Sequence, residues 1–234
     1  MEDKTYKTMD HDKHAKSCDP NDFWGQIKRS VNGQPVSEEQ VQMIVKAVTD
    51  ALSFEKSDVL LDLACGNAAL ASYFYESCSE YLGVDFSESL IEVAKKNFEK
   101  PNTHSFLMSG AAEYIVSEKK PERFTKVLCY GSFPYFSSED ALTVLKCLYT
   151  NYKNVKKVFI GNLPDKDLVD EFYYKDRGYT EEEINDHLSS IGIWRTKDEF
   201  AELVQKAGWK NFKFSGMPKD SYAHKFRYDI LLWR

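Results

Sequence analysis

Five short apolar runs, each followed by a stretch long enough for a helix, set most of what this chain can become. Val59-Leu-Leu-Asp-Leu-Ala64 is the first, and segments 81–85, 104–108, 125–130 and 156–161 follow it. A continuous apolar run of this length suits a parallel strand covered on both faces. The intervening segments 68–77, 87–98, 111–117 and 138–151 are expected as helices. Ser87 ahead of Glu88, and Ser137 or Ser138 ahead of Glu139 and Asp140, supply the acceptor oxygen and negative charge that open a helix. Strand, helix and strand in alternation predict an α/β fold, a Rossmann-like doubly wound sheet that is mostly parallel.

Both ends of the chain depart from this pattern. The first 20 or so residues are polar; His11 and His14 lack a third ligand there, so a solvated tail or lid is expected and no metal. A helix is expected from Ser37 to about Leu52, with Val41, Ile44, Val45 and Val48 at helical spacing. Beyond the fifth run, 165–190 is acidic, tyrosine-rich and helical in character. Thr196 and Glu199 form a capping box for a helix that runs to Ala207 and stops at Gly208. Trp209–Ser215 and Lys225–Trp233 then read as strands, and the short link through Gly216, Pro218 and Asp220 makes them an antiparallel C-terminal pair. The expected organisation is 1–54 as N-terminal tail, helical lid and helix, and 55–234 as the ligand-binding domain. Residues 165–195 would be a helical cap insertion after the fifth strand.

A net charge of -6 gives no global field to draw the chain onto nucleic acid or an anionic membrane, so a small-molecule partner is expected, with neither nucleic acid nor membrane. No apolar run approaches the roughly 20 residues that span a bilayer. Five cysteines without a C-x-x-C pair read as reduced thiols, in keeping with a cytoplasmic protein. Oligomeric state is left open.

Ligands of an open parallel sheet lie at the carboxyl ends of its strands. There the first run ends in Asp62-Leu-Ala-Cys-Gly66, where a glycine lets the backbone approach a ligand, and the second ends in Asp85, placed to accept hydrogen bonds from a ribose. Asp-Leu-Ala-Cys-Gly-Asn at 62–67 and Gly-Val-Asp-Phe-Ser at 83–87 resemble the first two motifs of the class I S-adenosylmethionine-dependent methyltransferase family. The resemblance continues through Val127–Phe136 and the C-terminal strand pair, covering about residues 55–234. The leader Trp24–Pro35 is similar to that of small-molecule enzymes from bacterial surface-polysaccharide and related pathways.

The resemblance implies S-adenosyl-L-methionine as cofactor. Asp62, Ala64 and Gly66 would surround its methionine part, Asp85 would hold the ribose, Phe86 would cover the adenine, and the backbone of Ala111 and Ala112 would read the base edge. Ser87, Tyr130 and, from the leader, Trp24 and Gln26 complete the expected cofactor set. Two departures stand out: Gly66 is alone where the family has several glycines, and Ser109-Gly110 stand where it has an acid.

On the acceptor side, His224 is the candidate general base, Tyr135 an aromatic wall and Arg227 a clamp for phosphate or carboxylate. Ser132, Phe136, Asn162 and Asp165 are further candidates, and His187 is a second base candidate ranked lower. Tyr173, Tyr174 and Trp194 either cover a pocket or pack the insertion. The expected reaction is methylation of a small acceptor on oxygen or nitrogen: a sugar, a nucleotide-linked compound or a phosphorylated metabolite. A protein that binds the nucleoside without chemistry is the alternative. A nicotinamide dehydrogenase would need G-x-G-x-x-G where Gly66-Asn-Ala-Ala-Leu-Ala71 stands.

Overall fold

The computed structural model describes residues 13–31, 34–172 and 178–234. His11, Tyr173 and Tyr174 lie outside the described residues. The chain divides into two compact units, residues 1–114 and 115–234. Of the seven strands of the mostly parallel sheet, three belong to the first unit and four to the second.

In the first unit a helical stretch over 13–17 precedes α1 (Phe23–Gln26) and a small antiparallel hairpin of β1 (Ser30–Val31) and β2 (Gln34–Pro35). Then α2 (Glu38–Leu52) begins where the Ser37 hydroxyl accepts from the Gln40 N–H. It buries Val41, Ile44, Val48 and Leu52 as a single stripe. The strands β3 (Val59–Leu63), β4 (Glu80–Asp85) and β5 (His104–Met108) are all parallel, in the order β5-β4-β3. Leu60, Leu61 and Leu63 of β3 are buried on both faces, as a continuous apolar run requires. Between β4 and β5 lies α3 (Glu88–Phe98), capped by Ser87, and α4 (Ala111–Ser117) crosses the boundary between the units.

The helix expected over 68–77 takes a different form. Ala68 is left-handed at φ 62°, which no α-helix can include, so only a 3-10 segment over Ala71–Ser77 follows it.

In the second unit β6 (Lys126–Tyr130) leads through a 3-10 turn at Phe133–Tyr135 into α5 (Ser138–Thr150) and β7 (Lys157–Pro164). Short helices α6 (Val169–Phe172) and α7 (Glu181–Asn185) precede α8 (Lys197–Lys206), β8 (Asn211–Gly216) and β9 (Arg227–Trp233). The strand order is β6-β7-β9-β8. The β6–β7 pair is parallel, and β9 runs antiparallel to both neighbours. The expected capping box at Thr196 and Glu199 is present, and Thr180 with Glu183 makes another ahead of α7.

Strand β7 runs three residues past its apolar run, because β9 continues the pairing to Pro164 after a register break between Ile160 and Leu163. Trp194 is buried with Val169 and Ile184, against Phe172, Tyr179, Ile191 and Phe226. Of its two expected roles it takes the packing one: it is the centre of the insertion's own small core.

Gly161 sits at the register break because nothing larger fits. A β-carbon there would lie 2.4 Å from the Tyr130 ring and 2.9 Å from that of Phe159. Gly161→Ala is therefore expected to destabilise the protein by about 1–3 kcal/mol. Thermal melting should show a midpoint lowered by roughly 2–4 °C for each kcal/mol lost.

Candidate functional site

The first unit gathers two carboxylates at adjacent strand ends. Asp85, buried at the end of β4, accepts from the Gly66 N–H at 2.8 Å through Oδ2 and from the Ser87 N–H at 2.9 Å through Oδ1. Both donors are backbone amides, so the carboxylate holds the turn after β3 and the start of α3 together. A carboxylate oxygen can accept more than one hydrogen bond, the chemistry that a ribose diol calls on. The turn is sharply wound: Ala64, Gly66 and Ala68 all have left-handed φ, at 57°, 58° and 62°. At Gly66 an added β-carbon would come within 3.0 Å of Ile27 Cγ2, so glycine serves both the backbone and the approach of the N-terminal segment.

Asp62, buried on β3, accepts a hydrogen bond from the Tyr81 hydroxyl at 3.1 Å. Burial pushes its carboxyl up to about 8; the Tyr81 hydrogen bond opposes that shift and the nearby Asp85 adds to it.

Phe86 is 41% exposed just past Asp85, a flat apolar face of the kind an adenine stacks on. Ala111 and Ala112 are half-buried in the first turn of α4, where helix geometry leaves amide N–H groups without intrahelical partners. Ser87 is fully buried, and its hydroxyl caps α3 by accepting from the Leu90 N–H. These residues fit S-adenosylmethionine: a diol acceptor, an aromatic face, helix-start amides and a buried acid beside a glycine turn suit its ribose, adenine and cationic methionine part.

The leader is tied to this turn through a residue that the motif comparison did not single out. Asn67 Nδ2 donates to the Gln26 Oε1 at 2.9 Å and to the Phe23 carbonyl at 2.7 Å. Gln26 in turn donates to the carbonyls of Asp19 and Pro20, both at 3.1 Å, so its carboxamide works as a strut inside the leader. Trp24 is half-buried, and its carbonyl accepts from the Arg29 N–H.

The second unit brings Tyr135, Asn162, Arg227 and Asp229 together at the bulge in β7. Asn162 is left-handed at φ 63°. Its N–H donates to Asp229 Oδ1 at 2.8 Å and its carbonyl accepts from an Arg227 guanidinium N–H at 2.8 Å. Both backbone groups are thus held by β9, while the side-chain Oδ1 is buried without a hydrogen-bond partner among the described residues. Burial raises the Asp229 carboxyl to about 6, against the Asn162 N–H that favours its charge. Burial also raises the Tyr135 phenol, Arg227 acts the other way, and the hydroxyl donates to the Ser190 carbonyl at 3.1 Å. Tyr130 is buried at the end of β6, its ring over Gly161.

His224 is exposed in the loop before β9, and His187 lies 3.6 Å from Asp186. Asp165 is buried in an ion pair with Lys197. Asp229 was missed in the sequence, where its signal is a lone acid inside the apolar run Tyr228–Trp233. Among the described residues, no cluster of three metal-ligating side chains occurs and no helix is long and apolar enough to cross a membrane.

A strand-end acid, a tight turn and an exposed aromatic define a nucleoside-binding α/β domain. Comparison with known proteins narrows this. The Methyltransferase domain family model matches residues 60–154. A curated relative in Methanocaldococcus jannaschii, named "Probable cobalt-precorrin-6B C(15)-methyltransferase (decarboxylating)", is 23% identical over 67% of this chain and 79% of its own. A demethylmenaquinone methyltransferase of Streptomyces avermitilis is 25% identical over 70% and 73%.

Among solved structures, the cyclopropane synthase MmaA2 of Mycobacterium tuberculosis shares the fold with a TM-score of 0.63 and 15% identity, over 90% of this chain and 77% of that one. The small RNA methyltransferase HEN1 shares it at 0.62 and 15%, over 86% and 25%. The chain is an S-adenosylmethionine-dependent methyltransferase, and its cofactor is S-adenosyl-L-methionine.

Asp229 carries a pH signature. Its proton is held more tightly in the folded protein than in the unfolded chain, where a carboxyl titrates near 3.8. Between about pH 4 and 6 the native state therefore binds more protons, and this residue's contribution to stability falls as pH rises through that window. Asp229→Asn keeps an oxygen for the Asn162 N–H and removes the titration. Denaturant melts at pH 4.5 and pH 7 should show a variant that gains stability relative to wild type at the higher pH.

Proposed function

We propose that the methyl acceptor is a small polar molecule bearing an N–H or O–H group that donates to Asn162. The unpartnered Oδ1 of this buried side chain carries the reading. A buried acceptor without a donor costs about 1–3 kcal/mol, which a substrate hydrogen bond would return. Its backbone is fixed by Asp229 and Arg227, so the carboxamide is preorganised, and Tyr135 flanks the cluster through Arg227. The net charge of -6 favours such an acceptor over nucleic acid.

The cofactor supplies a methyl group on a sulfonium, open to in-line attack. The chain's part is to hold and align. Asp85 takes the ribose hydroxyls, Phe86 covers the adenine, and Ala111 and Ala112 read the base edge. Ala64 and Gly66 approach the methionine part, and Asp62 faces its positive charge. Residues 13–31 form a lid segment, held on the turn by Gln26 and Asn67, that keeps water from the site. Arg227 and Tyr135 orient the acceptor.

Two measurements test this. S-adenosylhomocysteine titrated by calorimetry should bind wild type saturably and Asp85→Ala more weakly by a factor of about ten or more, the worth of one charge-assisted hydrogen bond. Incubation with methyl-labelled S-adenosylmethionine and either an ultrafiltered metabolite extract or total RNA should label the metabolite fraction. Asn162→Leu should lose that labelling and keep its affinity for S-adenosylhomocysteine. Label in RNA alone would overturn the reading.

A further inference from the structure

The two carboxylates at the ends of β3 and β4 are hydrogen-bonded unequally. Asp85 accepts two backbone N–H groups, which favours its ionised form. Asp62 accepts one hydroxyl, from Tyr81, and that bond is compatible with a neutral acid. Both side chains are buried, and two adjacent carboxylates in one buried place do not ionise together readily. The other titratable groups acting here are uncharged at neutral pH. Burial lifts the Cys65 thiol in the turn, the Tyr81 phenol on β4 and the Tyr75 phenol in the 3-10 segment well above their ordinary values. Burial first, with the neighbouring Asp85 adding to it, thus favours the protonated form of Asp62.

S-adenosylmethionine has a sulfonium that S-adenosylhomocysteine lacks, so the two ligands differ by one positive charge. We propose that Asp62 gives up its proton to solvent when S-adenosylmethionine binds and recovers one after the methyl has left. The site thereby matches its own charge to the cofactor and loosens its hold on the product. This rests on the reading that places Asp62 beside the methionine part of the cofactor. In the free protein the carboxyl titrates at about 8, so it holds close to a full proton at pH 7. Ionised Asp62 favours the sulfonium. Affinity for S-adenosylmethionine should consequently rise about ninefold from pH 6 to 7, about fivefold from pH 7 to 8 and about twofold at most above, while affinity for S-adenosylhomocysteine stays flat.

The test is calorimetric titration of each ligand at pH 7 in phosphate and in Tris, whose different ionisation heats count the protons released. S-adenosylmethionine should release about nine-tenths of a proton more than S-adenosylhomocysteine. Asp62→Asn keeps an acceptor for the Tyr81 hydroxyl and should abolish the difference. Tyr81→Phe leaves the carboxyl but removes a bond that favours its charge, so the release should persist with its midpoint at higher pH. Equal release by the two ligands, or a difference retained in Asp62→Asn, overturns the proposal. Failure of both ligands to bind wild type would instead overturn the placement of the cofactor, and this inference with it.

Discussion

The hydrogen bond from the Gly66 N–H to Asp85 is the constraint on which the cofactor side of this protein depends. It crosses from the turn after β3 to the end of β4 and is made by the same carboxylate that receives the Ser87 N–H. A single acid thus closes one turn and starts one helix. The turn needs such a tether because its backbone is strained. Ala64 and Ala68 are left-handed without being glycine, at about 1–2 kcal/mol each. Hydrogen bonds from the Cys65 N–H to the Val84 carbonyl and from the Ala68 N–H to that of Cys65 hold the geometry in place. The alanines that make the first motif glycine-poor therefore keep the shape that glycines adopt freely, with the cost met by neighbouring contacts.

Much of the framework was legible because it rests on local chemistry. The runs of β3, β4, β6 and β7 became strands buried on both faces, while β5 leaves Leu107 and Met108 exposed; Ser37, Ser87 and Ser137 became caps, and the Thr196–Glu199 box opened its helix. What escaped depends on residues distant in sequence. The left-handed Ala68 replaced an α-helix with a 3-10 segment, and alanine gives no sign of that by itself. The extension of β7 and its register break follow from pairing with β9, some 65 residues away, as does the grip of Asp229 on the Asn162 N–H.

The site divides along the same line. Asp85 and Gly66 were readable because their chemistry follows from position at a strand end. Gln26 was expected to contact the cofactor; its carboxamide is engaged within the leader and on Asn67, a role that spacing cannot show. His224 was attractive for its titration range alone. An imidazole exposed on a loop lacks the fixed orientation that the bulge gives to Tyr135, Asn162 and Arg227.

That bulge shows how the second unit positions chemistry without flexible parts. A strand ladder normally uses each residue's N–H and carbonyl to hold its neighbour. At Asn162 the ladder is broken, and the side chains of Asp229 and Arg227 take over those two bonds. The backbone is thus satisfied while the carboxamide is released from the alternation of the strand. Asp229 is held above the ordinary carboxylate range by burial, so its grip on the Asn162 N–H strengthens as it ionises. The Asn162 backbone is therefore set by two neighbours on β9, which makes the antiparallel C-terminal pair part of the construction of the proposed acceptor site.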